Sequence, residues 1–283
     1  MCVRSINACV IEEKVKELFI KANKSLPGST CRAINSAICT ERDALSRDVL
    51  EILKQNIDAA KELDIPVCQD TGMAIIFAEI GQDVHIEGGD FNEAINNGVR
   101  GAYISGKLRC SVVGDPLYDR VNTNDNTPAI IYTSIVKGDK IKLTALPKGF
   151  GSENMSASRM FTPSAKEEDI IDFVVDTVRR AGANPCPPIV VGVGIGGTFD
   201  YSAVLSKKAL MRELDDKNEN EKYAVLEDKL LCEINKLNIG PQGFGGDTTA
   251  LAVKVERYPT HIAGLPVSVN ICCHVFRHES AVI

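Results

Sequence analysis

Residues 128–146 read PAIIYTSIVKGDKIKLTAL: two runs rich in β-branched residues, near 128–136 and 140–146, separated by Lys137-Gly138-Asp139. A short polar break with a central glycine between two such runs is a β-hairpin signal. This reading decides the fold class. Elsewhere helices and strands alternate, which alone would suggest a doubly wound parallel sheet. With a hairpin among them, the expectation is an α+β fold of mixed sheets with packed helices.

Toward the N-terminus, 107–127 is loop-like and rich in Asn and Asp, and Asp90 with Glu93 three residues on announces a helix over 90–105. A buried strand over 73–80 precedes it, led in by Cys68-Gln69-Asp70-Thr71-Gly72 after Pro66. Apolar residues at helical spacing mark 9–24 and 43–62, with Pro27-Gly28-Ser29 as a turn between them. Toward the C-terminus, a Gly-rich loop over 149–154 precedes a short helix, and an amphipathic helix over 166–181 stops at Gly182. A strand over 189–193 follows, then helices over 200–214 and 221–237 and strands over 248–256 and 262–273. No repeat or linker interrupts the pattern, so 1–283 reads as a single domain.

The formal net charge of -6 argues against nucleic-acid binding, which calls for a basic face, but leaves room for a locally basic site for a small anion. No run approaches the roughly 20 apolar residues of a membrane span. The N-terminal apolar stretch is too short and broken for a signal segment. These features point to the cytoplasm, with no membrane partner. There thiols stay reduced, and ten cysteines (2, 9, 31, 39, 68, 110, 186, 232, 272 and 273) are then either buried small hydrophobes or soft-metal ligands. In helical patterns, as at Cys9 and Cys232, the buried reading is the default. Zinc is disfavoured by the absence of close Cys/His pairs of finger spacing.

Cysteines at three places stand apart. Cys68 sits beside an amide, a carboxylate and a hydroxyl. Cys186 is boxed by Pro185, Pro187 and Pro188, which place it on a rigid loop, the setting from which iron–sulfur sites often present a thiol. Cys272 and Cys273 end a strand, where neighbours face opposite sides and only one can serve a given site. His274 and His278 could ligate a metal, but surface histidines near a chain end are the commoner case. Gly194-Ile195-Gly196-Gly197 only partly matches a dinucleotide fingerprint, because Phe199 stands where its last glycine belongs.

Together CQDTG at 68–72, LRCSVVGDPLYDRVNTNDNTPA at 108–129, LPKGFGSENMS at 146–156, NPCPPIVVGVGIGGTFD at 184–200, LNIGPQGFGGDTTALAVKVE at 237–256 and THIAGLPVSVNICCHVFRH at 260–278 resemble the α subunit, or N-terminal domain, of class I iron–sulfur fumarate hydratases and the related L-tartrate dehydratases. The resemblance implies a [4Fe-4S] cluster on Cys68, Cys186 and Cys273 with one iron left open as a Lewis acid, for adding or removing water on a small dicarboxylate. It implies that Gln69, Asp70 and Thr71 line the site and that Asp70 moves a proton or orients the base. His261 is a second acid/base candidate. Arg109 suits a bidentate grip on a carboxylate, with a structural salt bridge as its alternative, and the Gly151 loop can offer backbone N–H groups to an anion.

In that family a C-terminal domain or a separate β subunit completes the site. The sequence stops at Ile283, so the expected state is an α2β2 heterotetramer. The expected activity is reversible hydration of fumarate to (S)-malate, a tricarboxylic acid cycle reaction. Dehydration of L-tartrate to oxaloacetate is the alternative, and a non-catalytic cluster-binding scaffold the third reading.

Overall fold

The structure is a computed structural model and describes residues 3–283; Cys2 lies outside the described residues. In chain order the elements are β1 (Arg4–Asn7), α1 (Ala8–Lys24), α2 (Gly28–Thr40), α3 (Ala44–Glu62), β2 (Met73–Gly81), β3 (Val84–Glu87), α4 (Phe91–Ser105), β4 (Ile130–Val136), β5 (Ile141–Lys148) and α5 (Phe150–Glu153). There follow β6 (Ala157–Phe161), α6 (Glu167–Ala181), β7 (Ile189–Gly196), α7 (Phe199–Ala209), α8 (Glu221–Asn235), β8 (Ala250–Tyr258), β9 (Leu265–Cys272) and β10 (Glu279–Val282). Helices with mixed sheets make this an α+β fold, as the sequence leads one to expect. Two compact units result: residues up to Leu26, Ile57–Phe150 and Arg277–Ile283 form the first, and Pro27–Asn56 with Gly151–Phe276 the second.

The first unit holds a four-stranded sheet in the order β10-β5-β2-β4 and a parallel β1-β3 pair. The expected hairpin of β4 and β5 does not form. β2 lies between them, parallel to β4 and antiparallel to β5. The reason is burial. Ala74 to Ala78 of β2 are buried on both faces, so β2 takes the centre, whereas β4 is largely exposed and suits an edge. Lys137-Gly138-Asp139 is still a turn, but it arches over the end of β2: Gln82 N–H donates to the Val136 carbonyl at 2.8 Å and Asp83 N–H to that of Gly138 at 3.0 Å. Helices α1 and α4 supply the core through Ile11, Val15, Leu18 and Phe19 against Ile95, Val99 and Ala102. Asp90 caps α4, its Oδ1 accepting from Glu93 N–H at 2.9 Å.

The second unit is built on the sheet β6-β9-β7-β8, with β7 parallel to β8 and antiparallel to β9. All eight residues of β7 are buried. Its valines and isoleucines at odd positions join Val174, Val178, Leu226 and Leu230 of α6 and α8 in one core. Its even positions face α7, and there the glycines have a use: a Cβ on Gly192 would lie 2.2 Å from the Ser206 carbonyl oxygen, and one on Gly194 2.0 Å from that of Ser202. The run that partly matches a dinucleotide fingerprint therefore serves helix-to-strand contact.

Other expectations need correction. The turn at Pro27 opens a full helix, α2, whose polar residues hide its periodicity. Cys9 and Cys232 are exposed on their helices, because Ile11, Val15, Leu18 and Phe19 in α1, and Leu226, Leu230 and Ile234 in α8, set the buried stripe. His278 is buried and His274 half-buried, so neither is a surface histidine. Among the described residues no helix is long and apolar enough to cross a membrane.

Candidate functional site

In the first unit the turn carrying Cys68 is held largely by side-chain hydrogen bonds, its own Asp70 and residues distant in sequence both contributing. Asp70 directs its N–H toward Cys68 Sγ at 3.4 Å, and its carboxylate accepts from Gly72 N–H at 3.0 Å and Phe150 N–H at 2.9 Å. Gly72 has φ +78°, and a Cβ there would sit 2.7 Å from the Lys148 backbone nitrogen, so both conformation and space demand glycine. The Tyr103 hydroxyl lies 2.8 Å from the carbonyl oxygens of both Thr71 and Gly72, and Asn126 Nδ2 donates to Gly72 at 3.1 Å. Burial pushes the Tyr103 phenol above its ordinary value, so it stays a donor. Arg277, buried at 3 % exposure, donates from Nη2 to the Asp70 carbonyl.

Gln69 is exposed, Asp70 half-buried and Thr71 buried. The Thr71 hydroxyl donates to the Arg109 carbonyl and accepts from Arg109 N–H, each at 3.0 Å. Thr71 thus clamps the backbone of the residue whose guanidinium is expected to grip a carboxylate. The Arg109 side chain is exposed.

In the second unit a backbone hydrogen bond ties the residue after Cys273 to the loop that carries Cys186. Cys186, exposed and at φ +54°, tops a loop closed by its own N–H to the Ala183 carbonyl at 3.0 Å. Its carbonyl accepts from His274 N–H at 3.3 Å and lies 3.0 Å from His274 Nδ1, which sets the residue after Cys273 against it. Gln242 fastens the same loop through its backbone N–H and Nε2, both to the Pro187 carbonyl at 2.8 and 2.7 Å. Cys272 pairs with Val190 in the sheet and is buried, whereas Cys273, one residue beyond β9, is partly exposed.

Gly151 is exposed, with space beyond it: its nearest neighbour to an added Cβ is the Asn184 carbonyl oxygen at 3.8 Å. The segment after it is anchored by Glu153, which pairs with Lys207 and accepts from Asn270 Nδ2 at 2.9 Å. Ser156 Oγ accepts from Ile271 N–H at 3.2 Å, tying this loop to the strand that leads to Cys273. His261 is exposed between β8 and β9, its Nδ1 accepting from Ala263 N–H at 3.1 Å. A cavity of about 950 Å³ along β6 and α6 is lined by Ser156 but by none of Gly151, Cys186, His261 and Cys273.

The braces Tyr103, Asn126, Arg277, Glu153, Gln242 and Asn270 were not visible to sequence reading, although all but Tyr103 and Arg277 stand inside Gly- and Asn-rich loops or at the end of a strand. Among the described residues no three His, Cys, Asp or Glu side chains are gathered as a ready metal site. As donors the residues nevertheless fit an iron–sulfur group. Thiols are its ligands, Asp70 directs an N–H at one sulfur, and the buried Arg277 has an Nη1 with no hydrogen-bond partner.

Comparison with known proteins gives the class. The family model described as Fumarate hydratase (Fumerase) matches residues 12–282. A Methanocaldococcus jannaschii protein named "Putative L(+)-tartrate dehydratase subunit alpha" is 41% identical over 267 residues, covering 93% of this chain and 94% of its own length. The Escherichia coli O157:H7 protein named "L(+)-tartrate dehydratase subunit alpha" is 30% identical over 247 residues, covering 86% and 80%. A Shigella sonnei protein of the same name is 29% identical over 247 residues. The chain belongs to the fumarate hydratase family, as the resemblance led one to expect.

Proposed function

We propose that this chain is the α subunit of a cytoplasmic iron–sulfur hydro-lyase, its residues 1–283 working as one domain, that reversibly hydrates fumarate to (S)-malate. The observation that carries this is the seating of the Cys273 segment on Cys186 by the His274 N–H to Cys186 carbonyl bond. It supports two thiols from distant parts of the sequence as ligands to one group. Cys68, Cys186 and Cys273 hold a [4Fe-4S] cluster. When bound, the cluster supplies an open iron as a Lewis acid for the substrate's oxygen atoms.

The chain's own residues do the rest. Arg109 grips a substrate carboxylate with its planar fork, held in place by the Thr71 clamp on its backbone. Asp70, with both carboxylate oxygens on backbone amides, orients the turn and the exposed Gln69 beside it. His261 exchanges the proton at the substrate carbon, and backbone N–H groups at Gly151 bind anionic oxygen. A separate β subunit completes the enzyme as an α2β2 heterotetramer. Its docking is supported by apolar side chains left exposed on the second unit, Phe199, Tyr258 and Ile262, the last 89 % exposed next to His261.

The relatives' names favour a second reading, dehydration of L-tartrate to oxaloacetate. Both are tested by co-expressing the chain with its β subunit, reconstituting the cluster without oxygen and assaying fumarate, malate and tartrate. Turnover of tartrate alone selects the second reading. An intact cluster with turnover of none of the three would leave only a scaffold.

A further inference from the structure

We infer that Arg277 is the positioning residue of the Cys68–Gly72 turn and the fixed positive charge against which an anionic occupant of that turn is held; this rests on the reading that Cys68 ligates a cluster. The guanidinium is 3 % exposed. Its Nη2 donates to the Asp70 carbonyl and its Nε lies 3.5 Å from the Pro147 carbonyl oxygen. Nη1 is buried without a hydrogen-bond partner, and no ion pair of Arg277 occurs among the described residues. A buried cation whose contacts are neutral carbonyls bears a large desolvation cost, which an anion offsets and a carbonyl does so only in part. A merely structural link between two carbonyls needs donors, and a neutral amide supplies them. The charge calls for a further purpose.

The turn indicates which anion. Arg277 fixes the oxygen side of Asp70, while the N–H side of the same residue points at Cys68 Sγ at 3.4 Å. Holding one end of Asp70 therefore sets the aim of the hydrogen bond on the sulfur. The Asp70 carboxylate is occupied by Gly72 and Phe150 amides and makes no pair with Arg277. What remains is the negative charge that a thiolate-ligated cluster places on this turn. Hydrogen bonds to the sulfurs and nearby charge are two of the levers that set a cluster's retention and reduction potential.

The test uses the full chain with its β subunit, reconstituted anaerobically as wild type, Arg277→Lys and Arg277→Gln. Three readouts are taken: the rate at which a chelator bleaches the visible absorption, the midpoint potential, and the melting temperature of the cluster-free protein. Arg277→Gln should lose its cluster roughly fivefold faster or more, the factor that about one hydrogen bond commands, with a midpoint shifted to more negative potential. Arg277→Lys should also lose it faster, because an ammonium cannot span both carbonyls as the fork does, yet keep a midpoint near wild type.

Unchanged midpoints with bleaching rates within about twofold of wild type would overturn the inference, whatever the melting temperatures, since a purely structural arginine moves only those. If Arg277→Gln does not fold, the bleaching rate of Arg277→Lys decides on the same criterion. A wild type that takes up no cluster overturns the underlying reading as well, and that failure appears in a different arm.

Discussion

The Cys68 turn and the Cys186 loop present their thiols by opposite means. Around Cys68 the backbone is pinned by side chains: the Tyr103 hydroxyl, the Asn126 amide, the Asp70 carboxylate and the Arg277 guanidinium. Around Cys186 the backbone is pinned chiefly by backbone, with His274 and Gln242 N–H groups on the carbonyls of Cys186 and Pro187 and three prolines limiting the chain. Side-chain bracing concentrates the fate of a turn in a few residues, whereas backbone bracing spreads it over peptide groups that every residue carries. The first arrangement should be brittle to substitution and the second tolerant.

The sharpest way to test this contrast is to add one methyl group to the Cys68 turn and one at Gly151, whose nearest neighbour is the Asn184 carbonyl beside the Cys186 loop. Gly72→Ala places a Cβ against the Lys148 backbone at a residue with φ +78°. It should cost on the order of 3 kcal/mol or more and unfold much of the first unit, seen as a lost or early urea transition. Gly151→Ala meets nothing closer than 3.8 Å, and its effect should stay within roughly 0.5 kcal/mol. Equal losses would show that the two regions are not braced differently.

The next contrast deletes a hydrogen-bonding group from each. Tyr103→Phe leaves the Thr71 carbonyl without its buried donor and the Gly72 carbonyl with Asn126 alone, and should destabilise by about 1–3 kcal/mol in denaturant titration. Gln242→Ala removes the Nε2 bonds to the Pro187 carbonyl and His274 Nδ1 but leaves the backbone N–H bond to Pro187. It should cost no more than about 1 kcal/mol. A larger loss at Gln242 would reverse the assignment of the brittle and tolerant sites.

The same distinction explains what the sequence disclosed. CQDTG, the Pro-boxed Cys186 and the Cys272-Cys273 pair are local patterns, and each lies where its loop or strand end was expected. Their braces are not local: Arg277 and Asp70 are 207 residues apart, and Tyr103 and Thr71 are 32 apart. No spacing rule joins such pairs. The β4–β5 hairpin failed for a related reason. Lys137-Gly138-Asp139 turns the chain, but which strand occupies the space between its arms is decided by the apolar demand of β2, over fifty residues earlier. β1, β3 and β10 span four residues each, too few for a period to show.

The smallest contrast concerns charge. In the first unit the loop that presents Arg109 is closed near Asp125, which accepts from Thr127 N–H at 3.0 Å and its hydroxyl at 2.7 Å and pairs with Arg100 at 2.9 Å. Burial alone would raise this carboxyl, but the Thr127 bonds and Arg100 outweigh it and hold it at about 2, against an ordinary 3.8. A depressed folded value means that the stabilisation is complete above the unfolded value and disappears as pH falls through the folded one. Asp125→Asn should therefore cost below about 1 kcal/mol near pH 7, where the partly exposed Arg100 is screened by solvent. The gap between variant and wild type should close between about pH 4 and 2 in urea titrations at each pH. No carboxylate braces the Cys186 loop through the bonds described above, so Gln242→Ala should show a gap that stays level across that window. A gap at Asp125 that persisted at pH 2, or one at Gln242 that closed in step with it, would place the acid-sensitive group elsewhere.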